Sequence, residues 1–166
     1  EGSAINTSAG HTTANLAFVA LGERGTIRLR NHAGDVHIVI DVLGSFAPDG
    51  DGWFRPHLPS RVFDSRVPDT DLANGAKIEL APRATDGVAQ LATVTAVTPS
   101  VDSYVNVAQA GDGVGSSNVN VAAHEIATNL FLSAQRTDTV ELRTNADHVH
   151  VVIDSLGEFV HSAYAV

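Results

Sequence analysis

The feature that most constrains this chain is a duplication. The segment Val36-His37-Ile38-Val39-Ile40-Asp41-Val42-Leu43-Gly44-Ser45-Phe46 returns as Val149-His150-Val151-Val152-Ile153-Asp154-Ser155-Leu156-Gly157-Glu158-Phe159, with eight of eleven positions identical at an offset of 113. Upstream, Ile27-Arg28-Leu29-Arg30 aligns with Val140-Glu141-Leu142-Arg143 at that same offset. Ala14-Asn15-Leu16 then matches Thr128-Asn129-Leu130, and Asn6 matches Asn120, at an offset of 114. A one-residue indel in the intervening turn explains the change. A fold built of repeated units must bury the same faces in each copy.

The offset lays out the chain. Residues 1–46 are the second half of a first repeat, aligned from Ser3 onward, and residues 53–166 hold a complete repeat whose own second half is 116–159. Between them lies Ala47-Pro48-Asp49-Gly50-Asp51-Gly52, a linker by its turn-rich composition.

Within the duplicated segment the apolar residues alternate. Val36, Ile38, Ile40 and Val42 fall on one side of an extended backbone, with His37, Val39, Asp41 and Leu43 on the other. The second copy sorts Val149, Val151 and Ile153 against His150, Val152 and Asp154. β-Branched residues dominate, as a pleated surface favours. The same signal predicts strands at 15–21, 26–30, 61–63, 77–80, 89–97, 103–109, 118–121, 128–133 and 139–143. Turns are expected at 22–25, 33–35, 68–71, 74–75 and 111–115, and no stretch has the periodicity of an amphipathic helix. The expected fold is all-β, an antiparallel β-sandwich-like module with an additional half-repeat. A β-trefoil or prism is the architectural alternative.

Composition narrows the function. The chain has 166 residues, 43% hydrophobic and 17% charged, a globular balance. Its net charge of −9 opposes nucleic acid and anionic membranes as partners. Cysteine is absent, which removes disulfides, thiol catalysis and thiolate metal sites. Methionine is absent as well, so Glu1 is expected to begin a processed product or a fragment. No apolar run reaches the roughly 18 residues of a membrane span.

An ordered set of motifs runs through the complete repeat: Arg61-Val62-Phe63-Asp64-Ser65-Arg66, then Ser103-Tyr104-Val105-Asn106-Val107, Ser117-Asn118-Val119-Asn120, Ala127-Thr128-Asn129-Leu130, and the His150-to-Phe159 closing segment. This set resembles an actinobacterial repeat of secreted and cell-surface proteins. Its modules open on an R-L-L-D-T-R-like motif, carry S-N-L-N and A-N-L, and close on H-V-x-x-D-V-x-G-Y-F. The resemblance spans residues 3–46 and 53–159 and departs at the aromatic before the closing Phe, where Ser45 and Glu158 stand. It implies an extracellular or cell-surface location, in a module that accompanies a catalytic part rather than supplying one.

The polar residues of these motifs are the candidate sites. His37/Asp41 and His150/Asp154 repeat a His-x-x-x-Asp pattern whose members lie roughly 13 Å apart along a strand, too far for a direct hydrogen bond. Each must bond to a neighbouring strand. Arg61 and Arg66 are the expected mates, in an Arg–carboxylate pairing that closes the module within a structural polar network that includes Asp64. His148 and His150 share a strand face but make only half a metal site. The acidic turns 49–51 and 69–71 lack the spacing of a calcium loop and read as solvated turns. Trp53, Phe54 and Tyr104 are the candidate glycan contacts. The recurring Asn6, Asn15, Asn118, Asn120 and Asn129 suit turn and strand-end backbone groups better than a ligand.

No nucleophile elbow, S-x-x-K, H-E-x-x-H or phosphate loop occurs. The expectation is a non-catalytic structural or adhesive module with no cofactor. The alternative is a carbohydrate- or cell-wall-binding accessory module of a secreted hydrolase, with cell-wall polysaccharide as partner. A half-repeat with apolar faces has three ways to cover them: packing on the complete module as a third layer, belonging to a module whose first half lies elsewhere, or pairing with another copy into a homo-oligomer or filament through exchanged strands.

Overall fold

The computed structural model describes residues 3–50, 52–67, 72, 76–80, 87–109, 116–134, 139–146 and 148–161. Apart from a three-residue 3-10 turn at Glu23–Gly25, their regular structure is all strand. The strands are β1 (Trp53–Asp64), β2 (Lys77–Glu79), β3 (Gly87–Val97), β4 (Ser103–Gln109), β5 (Val119–Val121), β6 (Ile126–Ala134), β7 (Thr139–Thr144) and β8 (His150–Val160). They form two four-stranded antiparallel sheets, ordered β1-β8-β3-β6 and β2-β7-β4-β5. The module is β-sandwich-like, as its alternation predicts, and not a trefoil or prism.

Period two becomes burial most plainly in β7, where Val140, Leu142 and Thr144 are buried and the residues between them only partly so. Val94, Phe131, Val151 and Ile153 from one sheet join Val105, Val107, Val119 and Leu142 from the other in a single core cluster. Each such side chain stabilises the fold by roughly 1.5–3 kcal/mol relative to exposure. Phe131 is the one aromatic fully buried there, so the core is filled chiefly by small β-branched residues.

The pairing pattern has a consequence. The ladders are β1–β8, β2–β7, β3–β6, β3–β8, β4–β5 and β4–β7. Every one joins a strand of the first half (β1–β4) to a strand of the second half (β5–β8). No two strands of the same half pair among the described residues.

This explains where the sequence expectation fails. Strands were expected at 15–21, 26–30 and 36–46, and none of them forms. Residues 1–46 correspond to a second half alone. Their alternation suits a strand, but a strand needs a neighbour for its N–H and C=O groups. All the neighbours a second half uses belong to a first half. Burial follows pairing: Val36 is 47% exposed where its counterpart Val149 is 1%, and Leu29 is 58% exposed where Leu142 is fully buried.

Local geometry survives without the ladders. Asn15 donates its side-chain amide to the Ala4 carbonyl at 2.6 Å, and its counterpart Asn129 donates to the Asn118 carbonyl at 2.7 Å. The Ser3 hydroxyl donates to Asn6 Oδ1 at 2.9 Å, and at the same place in the other copy Asn120 Nδ2 donates to Ser117 Oγ at 3.0 Å. The turn closed by His11 N–H on the Ser8 carbonyl is matched by Glu125 N–H on the Ala122 carbonyl, both at 3.1 Å. Each turn holds one left-handed residue, Gly10 at φ +78° and His124 at φ +61°. The half-repeat therefore has the turns of a second half and lacks its sheets.

Candidate functional site

The charged residues of the opening motif gather where the module's first and last strands meet. β1 and β8 pair from Trp53 opposite Val160 to Asp64 opposite Val152, which sets Arg61 across from Asp154. Arg61 donates from Nε to Asp154 Oδ1 at 2.7 Å and from Nη2 to Asp154 Oδ2 at 3.3 Å. Its Nη1 reaches Asp64 Oδ2 at 2.7 Å. Arg66 grips the same carboxylate from the other side, with Nε on Oδ1 at 2.8 Å and Nη2 on Oδ2 at 2.7 Å. These contacts make a chain of four side chains, Arg66–Asp64–Arg61–Asp154.

Electrostatics follow the geometry. The Arg66 guanidinium, with help from Arg61, holds the Asp64 carboxyl well below the usual carboxylate range. Hydrogen bonding to Asp154 raises Arg61, and hydrogen bonding to Asp64 raises Arg66. Both carboxylates have their oxygens taken by guanidinium N–H groups. This is the chemistry of a clasp.

Ser65 completes the motif on the backbone. It is buried, its N–H donates to the Val151 carbonyl at 3.1 Å, and its Oγ accepts the Val151 N–H at 2.9 Å. The same Oγ lies 3.2 Å from His150 Nδ1. Arg61 and Ser65 therefore bond β8 directly, and Arg66 reaches it through Asp64 and Arg61. The first-repeat pair His37 and Asp41 stands apart from this cluster, and Asp41 accepts a hydrogen bond from the Ser116 hydroxyl instead.

The three candidate glycan contacts do not share a platform. Trp53 and Phe54 begin β1 opposite Val160 and Phe159, in one sheet. Tyr104 lies in β4 opposite Asn120, in the other sheet. Phe54 packs on Phe159 with centroids 5.0 Å apart, Phe46 on Phe159 at 5.8 Å, and Phe18 on Phe46 at 5.7 Å. With Leu91 these four rings line an apolar cleft of about 140 Å³. Phe54 thus marks the module's junction with the preceding half-repeat.

Asn15, Asn118 and Asn129 serve the backbone, whereas Asn6 and Asn120 bond serine side chains. Asn118 Oδ1 accepts the Val107 N–H at 2.6 Å, while the Asn129 side chain bonds the Asn118 carbonyl. Among the described residues no three His, Asp or Glu side chains converge on a metal position. The turns at 69–71, 74–75 and 111–115, and Asp51 of the other acidic turn, lie outside the described residues.

One buried polar network escaped the sequence reading. Gln90 of β3 donates to Ser155 Oγ of β8 at 3.0 Å, and that hydroxyl lies 3.0 Å from His57 Nε2 of β1. His57 Nδ1 sits 2.9 Å from the Leu58 carbonyl. Three adjacent strands are thereby tied through one serine. Nearby, the buried Glu158 faces Arg55 at 3.7 Å. The signal lay in the repeat's own departures, since Ser155 replaces Val42 and Glu158 replaces Ser45. A polar residue on a core-facing line needs a polar partner across the ladder.

No protein-family model matches the chain, and neither a curated protein nor a solved structure matches it.

Proposed function

We propose that this chain is a non-catalytic structural or adhesive module of an extracellular or cell-surface protein. The observation that carries this reading is the clasp. The charged motif that opens the repeat is committed to binding its closing strand, and both clasped carboxylates are engaged by arginine. The motif order resembling actinobacterial surface repeats supports the location.

The junction supports a role in series. The chain enters the module at Trp53 and leaves beside it at Val160. The closing Phe46 of the preceding half-repeat packs on the closing Phe159 at that same end. Such an arrangement joins successive units by an apolar contact instead of a loose tether, which suits a scaffold that spaces or presents other parts.

The second reading, a cell-wall polysaccharide-binding accessory module, rests on Trp53, which is 60% exposed. A flat ring so placed can stack on a sugar face. Co-sedimentation with insoluble cell-wall polysaccharide separates the two. The structural reading expects wild type and Trp53→Ala to remain equally in the supernatant. Saturable binding that Trp53→Ala abolishes would establish the second reading in its place.

A further inference from the structure

We propose that residues 3–46 are a four-strand donor that folds onto a first half-module of this same repeat type carried on another stretch of polypeptide, and not onto residues 53–115 of a second copy. The proposal goes beyond the structural role above and does not depend on whether the module also binds glycan.

Every ladder of the module joins a first-half strand to a second-half strand. Residues 1–166 contain one first half and two second halves. Exchange among copies of residues 1–166, whether in a dimer, ring or filament, therefore always leaves one second half per copy without partners. Exchange between copies moves the deficit and does not remove it.

The half-repeat nevertheless keeps what a partner would need. A Cβ on Gly157 would lie 2.6 Å from the Phe54 ring and 2.9 Å from the Arg55 carbonyl, so the close approach of β1 requires glycine there. Its counterpart Gly44 meets nothing within 4 Å. Asp41 stands where Asp154 takes Arg61, and His37 where His150 meets Ser65. The partner therefore presents an arginine to Asp41, a serine to His37 and a ring to Gly44, as an opening strand of the Phe54-to-Arg66 kind does.

Two differences show that this partner is not the chain's own first half. Val42 takes the place of Ser155, and in residues 53–115 it would leave buried Gln90 without its hydroxyl and His57 without its bond. Ser45 takes the place of Glu158 and would leave Arg55 without that carboxylate. The matching acceptor carries apolar side chains at the positions of His57 and Gln90.

Hydrogen exchange tests this directly. Residues 47–115 are copied ahead of Gly2 in the full chain, once unaltered and once with His57→Val and Gln90→Val in the added copy. In the parent chain, amides of residues 36–46 should exchange freely. With the altered acceptor they should slow by about 100-fold or more, and by less with the unaltered one. No slowing with either, while residues 150–160 stay protected, would overturn the proposal. Better protection from the unaltered acceptor would overturn its specificity. The parent chain supplies a second measurement that needs no fusion: sedimentation velocity with exchange, from micromolar to sub-millimolar. It should remain a monomer with residues 36–46 unprotected. Protection that grows with concentration alongside a dimer or filament would show self-pairing and discard the idea.

Discussion

Arg61 holds both oxygens of Asp154, at 2.7 Å and 3.3 Å, across the seam between the module's first and last strands. Because the same guanidinium also reaches Asp64, it links the end of β1 to β8 through two carboxylates. Replacing it by leucine removes three charge-assisted bonds and leaves Asp154 without its guanidinium. The side chains are partly exposed, so water compensates much of the loss, and the expected destabilisation is about 1 kcal/mol. Urea unfolding should show a lower midpoint at unchanged slope, with β1 exchanging first.

The clasp also sets the response to acid. Asp64 is held below the ordinary carboxylate range in the folded chain, chiefly by Arg66. The folded state thus binds a proton at Asp64 less readily than the unfolded state. Its contribution is complete above the unfolded value of about 4 and is lost as pH falls through the folded value below it. Urea midpoints measured from pH 7 to pH 2 should fall on the acid side. Asp64→Asn should lower the midpoint at pH 7 and flatten that fall.

Gly44 and Gly157 are the same residue of the repeat in opposite surroundings. Gly157→Ala drives a methyl into the Phe54 ring and the Arg55 carbonyl, and the backbone atom has least room to yield. The expected cost is about 1–3 kcal/mol in thermal or urea unfolding. Gly44→Ala meets open space and should change stability by less than about 0.5 kcal/mol. Equal effects at the two positions would contradict the paired and unpaired states described for the two closing segments.

What could be read from the residues was whatever alternation and duplication determine. Val140, Leu142, Val151 and Ile153 are buried as period two predicts, and Arg61 meets Asp154 as a carboxylate on a half-buried strand requires. Pairing was not legible in that way. Residues 36–46 carry the same alternation as 149–159, yet only the latter is a strand, because alternation describes one strand's faces and says nothing of its neighbours. That Tyr104 joins the other sheet from Trp53 and Phe54 was hidden for a related reason: a strand's own residues do not say to which sheet it belongs. The Ser155 network was hidden because Ser155 and Gln90 are 65 residues apart and meet only through register.

That network gives the sharpest test of packing. Gln90 and Ser155 are both buried, and their bond satisfies groups that water cannot reach. Ser155→Val, which imports the residue of the first repeat, leaves the Gln90 amide unpaired and should cost about 1–3 kcal/mol. Half-buried His57 can turn to solvent and adds little. Adding Gln90→Val removes the orphaned amide, and the apolar pair should recover most of the loss, since replacing both partners of a buried bond approaches neutrality. A double-mutant cycle by urea unfolding measures the coupling. Additive losses would mean that Gln90 is satisfied by some other group and that Ser155 does not join the three strands.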